Sequence, residues 1–489
     1  MRLTPWQSWH RIVNHSSSPH WWQRERATSR GNLSSPYGSV SCRLLALLVI
    51  LACMSWIGPR HVSAAPPDDG AASAHEVIKW NQLLRLQILR IPGAQPPTIS
   101  PGRSLAMLHI ALFDAVNSIA RSFTPYHIAV QASRGASKQA AAAQAAHDVL
   151  VALYPGQQDM LDAALAESLD DLPPDECDQG IAVGQGVASA ILDWRRTDRW
   201  DAPPPPYVLP PEPGFWQPTP PGFSPATFTH FSDVVPFAIT NNRQFGPPPP
   251  PAFTSAQYAT DFNETKEIGR VDSPSRTDDQ TLVARLWAAV GTPTGSADIY
   301  NTVAGDVALA FGSDLVQTAR LFAFLNVGIH DGVQTSFTSK YDYGVWRPVT
   351  AIPRADEDGN VFTDPDPDWL PLLVTPPYPT YAGNAATIGA ACATVLARVF
   401  GTNVFPIEAH WEGTPGWTRA YPSFWAIADE QARSRIYGGI HFHFDTVAGQ
   451  EIGTKVGNYL MDNFMPNPAN TLFTSVCTYA DRGGVAEGV

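Results

Sequence analysis

From Ala74 to about Trp200 the apolar residues recur with helical spacing. The segments HEVIKWNQLLRLQILR, PGRSLAMLHIALFDAVNSIA, SKQAAAAQAAHDVLVALYP, QQDMLDAALAESLDDLPP and GIAVGQGVASAILDWRR carry them at i, i+3, i+4 and i+7, with Pro or Gly between. Five helices on short links predict a bundle. Residues 201–252 break the pattern, because DAPPPPYVLPPEPGFWQPTPPGFSP and FGPPPPP cannot sustain a helix or a central strand. Phe215, Trp216, Phe223, Phe228 and Phe231 mark this stretch as an ordered strap, a lid or a domain divider. Helical spacing returns in YATDFNETKEIGRV, TDDQTLVARLWAAV, around 299–312 and in LVQTARLFAFLNVGIHDGVQTSFTSKY. After the DPDPDW turn it continues in a helix beginning near Gly383 and in TVAGQEIGTKVGNYLMDNF. Strand signals are almost absent, so the expected class is all-α. The expected organisation is an N-terminal helical bundle over 65–200, a Pro-rich connecting segment over 201–252 and a C-terminal helical domain over 253–470.

Composition narrows the possible partners. With 44% hydrophobic and 16% charged residues over 489 positions the chain has ample core and does not read as disordered. A net charge of −13 argues against nucleic acid, whose phosphates need clustered Lys and Arg. An anion site in this chain must therefore be locally basic. The apolar run LLALLVILACMSWIG at 44–58 falls short of the roughly 20 residues that span a bilayer. With Arg43 before it and Val62-Ser63-Ala64 after it, residues 1–64 read as an N-terminal extension plus a secretory signal cleaved after Ala64, which predicts a secreted or periplasmic protein with no transmembrane segment in the mature chain. A lipoprotein signal on Cys53 is the alternative. Cys177, Cys392 and Cys477 remain beyond the leader, with no CxxC pair, so neither a zinc site nor a disulfide framework is indicated.

Two short patterns carry candidate chemistry. In SKYDYGVWRPVTAI, Lys340 and Arg347 are long cations near a helix end that can reach one tetrahedral oxyanion, Arg with a two-pronged fork and Lys as a point charge. In RSRIYGGIHFHFD, Ser434 and Arg435 precede His441 across Gly438-Gly439, a turn able to bring imidazole to a centre whose oxygens the guanidinium holds. Taken singly, each is also what ordinary surface residues would give.

The two patterns in this order, around a glycine-led helix start, resemble the type 2 phosphatidic acid phosphatase and vanadium haloperoxidase superfamily. That superfamily's signature runs K-x6-RP, then P-S-G-H, then SR-x5-H. VIKWNQ, GRSLAMLHIALFDAVNSI, DFNETKEIG, RLFAFLNVGIHDG, YDYGVWRPVTAI and SRIYGGIHFHFD are similar to the secreted bacterial haloperoxidase-like branch, and the likeness runs from about residue 74 to 465. The resemblance implies a helical bundle of the vanadium haloperoxidase and acid phosphatase type. It implies that Lys340, Arg347, Gly383 and Arg435 bind the oxygens of vanadate, or of phosphate in the same site. His441 would be the axial vanadium ligand, or the nucleophile of a phosphatase. The substrates would be hydrogen peroxide and halide, or a soluble phosphoester, and a homo-oligomer stays open.

The middle motif departs from that pattern. Aligned on Gly383, the usual Ser and His become Ala382 and Asn384; aligned without gaps they become Gly383 and Ala385. No histidine lies between His330 and His410, so the usual acid/base group is missing in either register. Asn384 hydrogen-bonds but cannot shuttle protons near neutral pH. His443 is the candidate substitute, provided its segment is extended so that it shares a side with His441. His330 and Asp331 lie about three helical turns before Lys340, too far to serve, and His109 and Asp114 read as partnered core groups. Three readings follow: a haloperoxidase with impaired proton transfer, a soluble acid phosphatase, or an oxyanion-binding protein without catalysis.

Overall fold

The computed structural model describes residues 70–91, 101–288, 295–410 and 417–467. The expected leader and Cys477 lie outside them. Five helices come first: α1 Gly70–Gln82, α2 Gly102–Ala120, α3 Lys138–Leu153, α4 Gln158–Leu169 and α5 Pro174–Arg195. After the Pro-rich stretch follow α6 Ala256–Ile268, α7 Asp278–Ala288, α8 Ser296–Ala310, α9 Leu315–Tyr343, α10 Asn384–Phe400, α11 Phe424–Tyr437 and α12 His443–Asn463. The first segment is interrupted: Leu83–Ile88 continues α1 as a π-helical stretch, with Leu89 N–H reaching Leu84 O at 3.0 Å. There the Arg85 guanidinium is buried against Asp298, with both side chains 2% exposed.

The class is all-α, with one departure. Val404–His410 (β1) and Thr418–Ser423 (β2) pair antiparallel, Ile407 opposite Tyr421. Each strand buries only one or two side chains, Ile407 and Ala409 on one and Tyr421 on the other. Too little apolar alternation remains for the sequence to announce a hairpin.

Helix α9 is the axis of the molecule. Asp314 caps its start by accepting from Gln317 N–H at 2.8 Å, and every residue from Leu321 to Lys340 is buried. It packs on α2 on one side and on α10 on the other. The Pro-rich stretch is ordered and tied along it. Asp331 of α9 accepts the N–H groups of Phe237, Ala238 and Ile239 at 2.7–3.1 Å. Trp216 N–H donates to Gly344 O at 2.7 Å, and Trp346 N–H donates to Gly214 O at 2.9 Å. Asp114 on α2 repeats the device, holding the N–H groups of Tyr126, His127 and Ile128, while His109 Nε2 meets Asn81 Nδ2 at 2.7 Å. These are core contacts of the kind their spacing suggests. Cys177 and Cys392 are buried free thiols.

Helix α10 lies between α9, α11 and α12 and is held closest to α12. A stripe of Gly449, Gly453 and Gly457 on α12 lets the two backbones nearly touch. A Cβ at Gly453 would stand 2.2 Å from Thr387 O and 2.7 Å from Ala391 N, both backbone atoms that cannot rotate away. Gly453→Ala is therefore expected to cost about 2 kcal/mol or more. Equilibrium urea unfolding checks this, as a lower midpoint at unchanged slope.

Candidate oxyanion site

Four chain segments meet at one end of these helices: the end of α9, the loop into α10, the end of α11 and the start of α12. Their charged groups are buried, with Lys340 and Arg347 0% exposed and His441 2% exposed. Burying charge is costly unless it is paired, so each partner matters.

Lys340, in the last turn of α9, donates to the carbonyl oxygens of Pro379, Thr380 and Ala382 at 3.2, 2.8 and 2.6 Å. Burial pulls the pKa of this ammonium well down and Arg347 adds to the pull, while Asp445 opposes it. Three acceptors for three protons mark it as an ammonium. The sequence pattern gave Lys340 to the oxyanion directly; in the structure its donors shape the 379–382 loop, and what it offers the cage is charge.

Arg347 stands just before the helical turn Pro348–Ala351. Its Nε donates to Tyr378 O at 2.7 Å, and its Nη1 donates to Ile440 O at 2.6 Å and to His441 Nε2 at 3.1 Å. Its Nη2 is buried with no partner. Arg435, in the last turn of α11, repeats this arrangement. Nε donates to Ser434 Oγ at 3.0 Å, which explains the Ser-Arg pair, and Nη2 is again buried and unpartnered. Burial draws the Arg435 pKa down to about 10. Two cationic NH2 groups without acceptors are costly to leave so, and an anion is what satisfies them.

Gly438 ends α11 and Gly439, at φ 71°, turns the chain into α12. A Cβ at Gly439 would meet Gly269 O at 2.4 Å, so only glycine makes this corner. It delivers His441 to the cage. His441 Nδ1 lies 3.0 Å from Asp445 Oδ2 and 3.1 Å from Thr380 Oγ1, and the Thr380 hydroxyl donates to the same carboxylate oxygen at 2.5 Å. Because Arg347 donates to Nε2, the ring proton belongs on Nδ1. Burial holds the His441 pKa well below its ordinary value, with Arg347, Lys340 and Arg435 pushing the same way. The ring is thus neutral, and its Nε2 lone pair faces the guanidinium groups. Burial also pushes the Asp445 carboxyl up to about 6, against the Thr380 hydrogen bond and the Lys340 charge.

Gly383 is the N-cap of α10, and Asn384 is its first residue. The Gly383 N–H is already spent on Asp445 O at 2.8 Å, so the free donors of this helix start begin one residue later. Asn384 is half-buried, and its side chain hydrogen-bonds Tyr378. His443 stands apart. The extended geometry it needed is absent because α12 begins there, and its ring faces α6, 4.0 Å from Asp261 Oδ1 and from Glu264 Oε2.

Sequence reasoning missed Thr380, Asp445 and Tyr378. His441 and Asp445 stand at i and i+4 at a helix start, a spacing that puts two side chains together and was readable. Thr380 and Tyr378 reach the site through a loop and left no such signal.

The arrangement holds three cationic side chains, one neutral imidazole and one carboxylate in a chain of net charge −13. It sets two buried guanidinium NH2 groups without acceptors beside a neutral imidazole. Comparison with known proteins gives the following likenesses. Residues 320–467 match the family described as VCPO second helical-bundle domain. The chain is similar to vanadium chloroperoxidase from Curvularia inaequalis, 25% identical over an alignment of 316 residues that covers 50% of each chain. It thus spans about half the length of that curated relative. Its fold is similar to that of the first bacterial vanadium-dependent iodoperoxidase, with a TM-score of 0.68 and 23% identity, covering 82% of this chain and 98% of that one. The holo form of a bacterial vanadium-dependent chloroperoxidase superposes at a TM-score of 0.59 with 15% identity, covering 78% and 94%. Matching that family's second bundle in sequence and these bacterial enzymes in fold, the chain is a vanadium chloroperoxidase-like protein.

Proposed function

We propose that the cage binds vanadate and uses hydrogen peroxide to oxidise halide. The observation that carries this is the pair of buried, unpartnered guanidinium NH2 groups on Arg347 and Arg435 beside the neutral Nε2 of His441. These residues fit the group. Arg347 and Arg435 would hold its oxygens, and His441 would supply a nitrogen ligand. Vanadate, when bound, supplies the Lewis acidity that makes peroxide electrophilic toward halide.

The chain's own part follows from the geometry. To ligate the group, His441 Nε2 would leave Arg347 Nη1, which would keep its bond to Ile440 O. Asp445 fixes the ring through Nδ1 and raises the basicity of Nε2, as partners of metal-bound histidines do. Lys340 and the two arginines compensate the charge of the anion.

The test is halide oxidation by the purified chain, read as bromination of a dye, with vanadate and peroxide present. Activity that requires vanadate is expected; phosphomonoester hydrolysis without vanadate-dependent bromination would replace this reading with an acid phosphatase. Asp445, not His441, should set the acid limb of kcat/KM. The Asp445 carboxyl is pushed up to about 6, whereas His441 titrates well below its usual range. As pH falls through 6, Asp445 takes a proton and the support of Nδ1 weakens. Wild-type kcat/KM is expected to fall on that side, and Asp445→Asn to show a lower, flat profile from pH 5 to 7. An unchanged limb in the variant would assign the ionisation elsewhere.

A further inference from the structure

Tyr378 is the residue around which the cage closes, and nothing above uses its hydroxyl. Its ring lies 4.9 Å from the Arg347 guanidinium carbon and 5.2 Å from Lys340 Nζ, and meets the Phe337 ring edge-on at 4.9 Å. Its carbonyl accepts Arg347 Nε at 2.7 Å, so backbone and ring are fixed by the same arginine. The phenol is hydrogen-bonded to the Asn384 side chain and sits in the fields of both Arg347 and Arg435. The Arg347 guanidinium, whose Nη2 is buried and unpartnered, and the Lys340 ammonium thus both lie against this ring, whose hydroxyl is bonded to the residue that begins α10.

We propose that the Tyr378 hydroxyl, held by Asn384, donates the proton to the oxygen that leaves the bound oxyanion, the step for which this chain has no histidine in the cage other than His441. The inference rests on the reading that the cage binds an oxyanion and turns it over. The Tyr378 O–H bond breaks and the departing oxygen gains the hydrogen. The phenolate keeps the electron pair, disfavoured by burial with the charges of Arg347 and Arg435 offsetting part of that cost, and recovers a proton from water before the next cycle. Asn384 cannot ionise, but its amide fixes the direction of the phenol. Proton transfer is thus placed on the neighbour of position 384.

Tyr378→Phe deletes the hydroxyl and leaves the ring over Arg347 and Lys340. Its kcat for vanadate-dependent bromide oxidation is expected to fall about 10²-fold. The Kd for inorganic vanadate, from isothermal titration calorimetry of the wild type and the variant, is expected to stay within about threefold, since the charges that hold the anion remain. Asn384→Ala, which frees the phenol to rotate, should lower kcat by a smaller factor at unchanged Kd. If the wild type binds vanadate and turns over while Tyr378→Phe does so at the same rate, the proton-donor role is overturned and the proposed function stands. Parallel losses of Kd and kcat in Tyr378→Phe would make the hydroxyl a binding group and likewise overturn it. A wild type that fails to bind vanadate, or binds it without turnover, overturns the proposed function and this inference together.

Discussion

His441→Ala is expected to lower turnover by about 10⁴-fold or more in any reaction that uses this cage. Arg347 and Arg435 are cationic donors, the Lys340 ammonium donates to three carbonyl oxygens, and the Asn384 amide nitrogen has no basic lone pair. His441 Nε2 is the nitrogen the cage holds neutral, by burial and three neighbouring positive charges. Its removal would take away the nitrogen ligand in the peroxidase reading and the nucleophile in the phosphatase reading, so both assays should collapse together. Alanine also leaves the Asp445 carboxylate without its ring partner, so thermal unfolding should accompany the assay to show that the variant is folded. Full activity in a folded His441→Ala protein would remove the residue from the mechanism and the site with it.

Arg347→Ala is expected to weaken vanadate binding about 10³-fold, the scale of losing one partner of a buried, hydrogen-bonded charge pair. Its guanidinium spends two nitrogens on Tyr378 O, Ile440 O and His441 Nε2 and leaves the third buried without a partner. Alanine therefore costs stability too, because two buried carbonyl oxygens lose their donor. Arg347→Lys separates the two effects. It restores a charge but not the fork, so it should recover only part of the affinity. Calorimetric titration with vanadate provides the measurement, and an Arg347→Lys Kd equal to wild type would mean that the fork is not what binds.

The fold was far more legible than the site. Long stretches such as LVQTARLFAFLNVGIHDGVQTSFTSKY have one periodicity and one sensible environment, and α9 fulfils it over Leu315–Tyr343. The hairpin at 404–423 was not legible, since three buried side chains do not make a pattern. Within the site, Arg347, Arg435 and His441 stood in two short patterns that gained meaning only from the resemblance, and the structure brings them together because their elements begin or end beside them. The use of Lys340's protons could not, because its acceptors lie in a loop some forty residues away in sequence. His443 failed as a substitute for a local reason: one residue of helix start turned its ring toward Asp261 and Glu264.

The Gly383 N–H to Asp445 O bond, backed by the glycine stripe of α12, ties the starts of α10 and α12 together through main chain alone. Position 384 contributes a side chain to the cavity without bearing any of that joint. It is thus an interchangeable socket: evolution, or a saturation library, can trade the group presented there while the frame that aims His441 stays put. A substitution at 384 is therefore expected to leave that main-chain joint in place.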